Sequence, residues 1–123
     1  MTYSGIQLSA LVNLGLAMAQ ADGHVDQNEQ KTIALELCNF GVDPNNAPAI
    51  LAGSASMSAT ESLAIIASMT TEQKKYATGY FATIMAADGD ISDAEVKLWQ
   101  LICTLANFPT MTIYEALSFW RSH

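Results

Sequence analysis

Ala21-Asp22-Gly23-His24-Val25-Asp26-Gln27-Asn28-Glu29 and Ala87-Asp88-Gly89-Asp90-Ile91-Ser92-Asp93-Ala94-Glu95 are two versions of one segment, 66 positions apart. At the same offset Lys31 matches Lys97 and Leu35 matches Leu101. A repeat whose period is about half the chain predicts two related halves facing each other, not a solenoid. The halves are about residues 4–52 and 70–121, within a single domain spanning 1–123.

Working outward from each copy, the pattern is helix, glycine, capping residue, helix. The first helix runs from about Gly5 to Asp22. Ser4 and Gln7 form a capping box at its start, and Leu8, Leu11, Val12, Leu14, Met18 and Ala21 recur at helical spacing. Gly23 stops it. Asp26 and Glu29 form the next capping box, and Ile33, Leu37 and Phe40 line one face before Gly41. Asp43-Pro44 opens a short helix from about Asn46 to Leu51, and Gly53-Ser54-Ala55-Ser56 reads as a loop.

Further boxes are Ser58 with Glu61, Thr70 with Gln73, Ser92 with Glu95 and Thr112 with Glu115. The helix after Thr70 runs to about Asp88, with Tyr76, Tyr80, Phe81, Ile84 and Met85 inward. The helix after Ser92 buries Leu98, Trp99, Ile102 and Leu105 and breaks at Asn107-Phe108-Pro109. The last helix carries Leu117, Phe119 and Trp120. The expectation is an all-α fold of about seven helices in two pseudo-repeated halves.

Of the 123 residues, 50% are hydrophobic and 14% charged, a composition that favours a buried helical core over disorder. The net charge is −7 with five basic residues, which argues against nucleic acid and anionic membrane surfaces as partners. Metal cations and basic protein surfaces suit that charge. Residues 6–21 are apolar and contain Ala17-Met18-Ala19, which resembles a signal cleavage site. No Lys or Arg precedes Lys31, so the expected role is a core helix. No segment reaches the roughly 18 apolar residues of a membrane span. Cys38 and Cys103 lack zinc-ligand spacing and read as buried free thiols, consistent with a cytoplasmic setting.

The acidic turns are the candidate site. Asp22, Asp26, Glu29, Asp88, Asp90, Asp93 and Glu95 bring hard oxygen donors of the kind calcium and magnesium take. Asp88 to Glu95 matches the second half of an EF-hand loop. The first and third ligand positions would be Ile84 and Ala86, or Met18 and Gln20 in the other copy, so ligands would have to come from elsewhere, most simply from the other turn. Helix capping competes with this reading. Asp26, Ser92, Glu29 and Glu95 are all explained as caps worth roughly 1 kcal/mol each. Capping does not explain Asp22 and Asp88, which as last-turn residues would face the negative end of a helix macrodipole.

Ala21-Asp22-Gly23 with Glu29, and Ala87-Asp88-Gly89 with Glu95 and Leu98-Trp99, resemble the TerB family of tellurite-resistance-associated proteins and its superfamily. The resemblance covers nearly the whole chain. It implies about seven helices in two similar halves, acidic residues proposed to chelate metal, and roles in stress-response complexes near membranes. Carried over by position, the implied ligands are Asp22, Asp26, Glu29, Asp88 and Glu95. The second copy departs at Ser92, where the first has Asp26, and serine is the poorer cation ligand.

The first functional reading is a small non-enzymatic module that binds a divalent cation, calcium or magnesium, and a protein partner. Its metal candidates are Asp22, Asp26, Glu29, Asp88, Asp90, Ser92 and Glu95. It would not insert in a membrane but would reach one through a partner. A second reading is a metal-independent scaffold whose acidic turns are only caps, its partner held by an apolar groove involving Met57, Met69, Phe119 and Trp120. A third is a metal-assisted hydrolase using Asp88 or Asp90.

Overall fold

The computed structural model describes residues 3–20, 37, 40, 42–43, 45–86 and 91–122. Among them the fold is all helical: α1 Gly5–Ala19, α2 Ala47–Ala55, α3 Ala59–Ala67, α4 Thr71–Met85, α5 Asp93–Leu105 and α6 Ile113–Arg121. The helix expected after Val25 lies outside the described residues except at Leu37 and Phe40.

The 66-residue offset governs the helix bounds. α1 and α4 each have 15 residues and start and end in register. So do α2 and α6, each of 9 residues. α3 stands between the halves without a counterpart. The α1 and α4 capping boxes, Ser4/Gln7 and Thr70/Gln73, also coincide at that offset. Gln73 Nε2 donates to Gln7 Oε1 at 3.4 Å, so equivalent residues of the two halves meet, as expected near a pseudo-two-fold axis. Further along, Gly15 faces Ile84 and Tyr80 so closely that an added Cβ would stand 2.9 Å from Ile84 Cδ1. Contacts rise together along both helices, so α1 and α4 run in the same direction and end on the same side of the molecule.

The core follows the predicted faces. Leu8, Leu11, Val12, Leu14 and Met18 of α1 are buried, as are Tyr80, Phe81, Ile84 and Met85 of α4, the most enclosed helix. Phe40 joins the halves through edge-on and tilted ring contacts to Tyr3, Tyr80 and Trp120 at 4.9–5.2 Å. Tyr3 donates to the Gln73 carbonyl at 2.7 Å. Burial, aided by Tyr76 and Glu72, pushes its phenol above the ordinary range and keeps it a neutral donor.

Five of the six expected capping boxes are formed, at Ser4, Ser58, Thr70, Ser92 and Thr112. The sixth, Asp26/Glu29, lies outside the described residues. α5 ends in a Schellman motif: Asn107 takes a left-handed φ of 55°, Phe108 N–H donates to Cys103 O, and Asn107 N–H donates to Thr104 O. Asn is one of the few residues that tolerates that conformation, and Pro109 prevents the helix resuming. Sixty-six residues earlier, Val42 N–H donates to Leu37 O, the same six-residue closure.

Three expectations are corrected. α2 continues through Gly53-Ser54-Ala55, because Gly53 gives close approach, not a break: an added Cβ would lie 2.7 Å from Ser9 Oγ. Asn13 then binds the α2–α3 corner, donating to the Ser54 and Met57 carbonyls at 3.1 and 3.0 Å and accepting from Ser62 Oγ at 2.8 Å. α1 and α4 end at Ala19 and Met85, short of Asp22 and Asp88, with Gln20 and Ala86 as C-caps whose N–H groups close the last turn. In α5 the buried line is Glu95, Trp99, Ile102 and Ala106, while Leu105 is exposed, because the helix turns its charged capping residue inward. No single helix among the described residues is long and apolar enough to cross a membrane.

Candidate functional site

The second acidic turn enters α5 at Ser92, and that entrance is described. Ser92 is extended (φ −78°, ψ 156°), the conformation of an N-cap, and its Oγ accepts from Glu95 N–H at 3.1 Å. Glu95 Oε1 accepts from Ser92 N–H at 3.2 Å and from Ser92 Oγ at 3.0 Å. Both groups of the box are thus satisfied, and the first turn of α5, with Asp93 and Glu95, is negative as the helix dipole favours.

Capping alone does not require burial. Glu61 and Glu115 close the same type of box from exposed positions. Glu95 is only 2% exposed, and its second oxygen, Oε2, is buried without a hydrogen bond among the described residues. One turn on, the buried Trp99 Nε1 donates to no acceptor among them. A buried polar atom left unpaired costs about 1–3 kcal/mol, so the inward turn of Glu95 needs an explanation beyond the cap.

Of the sequence-predicted ligands, Ser92 and Glu95 are brought together. Asp22, Asp26, Glu29, Asp88 and Asp90 lie outside the described residues. Among the described residues no three His, Cys, Asp or Glu side chains converge on a point that would hold a metal ion. An EF-hand loop is not formed in full: Ile84 is a buried residue inside α4 and Ala86 its C-cap, so the first and third ligand positions are helical. The ends of α1 and α4 lie on one side of the fold, which is where both acidic segments begin. Because both helices stop three residues before their aspartates, the macrodipole argument for Asp22 and Asp88 gives way to the buried Glu95 oxygen as the sharper signal.

Of the four apolar groove candidates, Met69 is buried and Met57, Phe119 and Trp120 are half-buried, the last two in ring contacts with Tyr76. Cys103 is half-buried and free, and burial pushes its thiol up to about 11, so it is inert at neutral pH. Sequence reasoning did not single out Asn13 and Ser9. The available signal was that they are the polar side chains within the apolar run 8–18.

Together these features define a duplicated all-helical module in which each half carries an acidic segment between helices. The chain belongs to the TerB family: the family model described as tellurite resistance protein TerB matches residues 7–116. Among solved structures, it is similar to the crystal structure of PG1108, a protein of unknown function from Porphyromonas gingivalis W83. The identity is 40%, the match covers 98% of this chain and 92% of that one, and the TM-score is 0.89. No curated protein matches the chain.

Proposed function

We propose that this chain is a non-enzymatic module that binds a divalent cation, calcium or magnesium, through its acidic turns, and engages a protein partner. The observation that carries this reading is Glu95, whose unpaired buried Oε2 offers a donor that capping leaves unused. A hard cation takes such oxygens. Asp88, Asp90 and Ser92 would complete the set from the same turn, and Asp22, Asp26 and Glu29 from the other. The shared direction of α1 and α4 supports a meeting of the two turns. The family description, tellurite resistance, supports a stress-response setting, and the acidic charge and the free Cys103 thiol suit a cytoplasmic one.

Calorimetric titration of chelator-stripped protein with calcium, then magnesium, tests it. Gln7 and Gln73 close their boxes as amides, so Glu95→Gln keeps the cap and removes the charged donor. Saturable binding lost in Glu95→Gln and in Asp88→Asn is the expected result. Equal heats from wild type and both variants would overturn it.

A second reading, a metal-independent scaffold, draws on the complete Ser92/Glu95 box, which is built like four others in the fold. It predicts that Glu95→Gln leaves partner binding unchanged.

A further inference from the structure

The N-terminal end of α1, α2 and α3 enclose an open groove of about 1090 Å³. Most of its lining surface is apolar, from Leu8, Ile50, Met57 and Ile65 among others, with Ser9, Asn46 and Ser56 as neutral polar members. Ile6 is the unusual member. It lies in the first turn of α1, lines a groove of aliphatic neighbours, and is 65% exposed. The charged side chains at the groove are Asp43 and Glu61, both exposed, and no Lys, Arg or His lines it among the described residues. The groove is therefore mainly apolar, and its charged side chains are all negative, on a chain of net charge −7.

We propose that this groove is a docking site for an amphipathic helix with an aliphatic face and basic flanks, supplied by a protein partner. An amphipathic helix laid into a hydrophobic channel is a common mode of peptide recognition. Three helices bound the channel, the α2–α3 corner is bent by 118°, and Asn13 holds that corner against α1, so the groove is preformed. Basic residues beside the aliphatic face would meet Asp43 and Glu61, which steers encounter and rejects acidic competitors. This inference rests on the protein-interaction half of the function proposed above and is independent of its cation half.

The test titrates the full chain with a fluorescent Leu/Lys amphipathic peptide of about 14 residues, nearly four helical turns, and with its Leu/Glu counterpart. Fluorescence anisotropy is read at near-physiological salt, where the Debye length is about 8 Å. The expected result is saturable binding of the Lys peptide only, weakened roughly tenfold or more by Ile6→Asp, as for loss of a buried anchor. Ile6→Asp makes the protein more negative, so diffuse attraction would strengthen binding where groove docking weakens it. Glu61→Gln keeps the α3 capping box and is expected to weaken binding by a smaller factor. Unchanged or tighter binding to Ile6→Asp overturns the proposal, as does equal affinity for the Glu peptide or no binding at millimolar peptide. The doubly substituted Asp22→Asn, Asp88→Asn protein, run with chelator, separates the two readings. Retained binding there supports the groove even if the cation site fails, and binding lost there but kept in Ile6→Asp moves the partner to the acidic turns and overturns it.

Discussion

The two halves of this fold pack a short helix across a long one in the same register, with the bulk on opposite sides of the contact. In the first half the long helix α1 carries Ser9 and Asn13, and the short helix α2 carries Gly53 and Ser54. The contact is polar: Ser9 Oγ donates to Ile50 O at 3.1 Å and Asn13 to Ser54 O at 3.1 Å. Sixty-six residues on, the position of Asn13 is Gly79, and those of Gly53 and Ser54 are Phe119 and Trp120. There the glycine lies on the long helix α4 and the rings on α6, with Tyr76 and Phe119 stacked edge-on at 5.1 Å. One geometry is thus met by two chemistries. What is held constant is the close approach of the helix backbones, and a glycine on either partner supplies it.

Exchanging the two chemistries should produce the largest effect. Gly79→Asn places a Cβ 2.9 Å from Trp120 Cβ and 3.0 Å from the Ala116 carbonyl oxygen, and adds an amide facing rings. Overpacking costs about 1–3 kcal/mol and an unpaired buried amide about 1–3 kcal/mol, so a loss of roughly 2–6 kcal/mol is expected in urea unfolding. Asn13→Gly removes three hydrogen bonds and strands Ser62, with only about 0.3 kcal/mol more from helix propensity, for a loss of roughly 3 kcal/mol overall. A loss below about 1 kcal/mol in either variant, the size of a single hydrogen bond, would show that the halves do not depend on their own contact chemistry.

A smaller, sharper contrast comes from alanine at the two glycines. Both gain about 1 kcal/mol of helix propensity. At Gly79 the close neighbours are a backbone carbonyl and the Cβ of Trp120, neither of which yields without moving α6. At Gly53 the close neighbour is Ser9 Oγ at 2.7 Å, a terminal atom that escapes by rotation at the cost of its bond to Ile50, about 1 kcal/mol. Gly53→Ala is therefore expected near neutral and Gly79→Ala net destabilising by about 1 kcal/mol or more. Reversal of that order in thermal unfolding would refute the assignment of the rigid partner.

The repeat, the capping boxes and the α1 and α4 core faces were legible because each is written locally: a hydroxyl residue three positions before Glu or Gln, and apolar residues at helical spacing. What escaped was set by tertiary contact. Gly53 reads as a breaker until Ser9 is seen against it. Glu95 reads as one cap among several until its burial separates it from Glu61 and Glu115, and periodicity assigned to Leu105 a place that Ala106 takes. Helix ends were overextended by about one turn because Ala87 and Ala21 are good helix formers, while the stop is made by the backbone at Ala86 and Gln20. The groove beside Ile6 has no one-dimensional signature, since three separate helices and the residues around Val42 and Asp43 build it.

The smallest expected effect lies at the starts of the two short helices. α6 begins at Thr112 with a full capping box, whereas α2 begins at Asn46, at the equivalent position, with no side-chain cap bond and with Ala49 where α6 has Glu115. Thr112, through its backbone N–H and its hydroxyl, holds the Glu115 carboxyl below the ordinary range. A carboxylate whose pKa is lowered on folding adds stability above its unfolded pKa and loses it as pH falls through the folded value. Acidification should therefore loosen α6 through its cap and leave α2, which has no such group, without a matching step. NMR titration of Glu115 is expected to show a midpoint below that of a free glutamate, rising part of the way back in Thr112→Ala, which removes the hydroxyl contact and keeps the backbone N–H. Glu115→Gln keeps the box and should remove this step from the pH dependence of stability. If the Glu115 midpoint were the same in wild type and Thr112→Ala, the cap would not be what distinguishes the two helices.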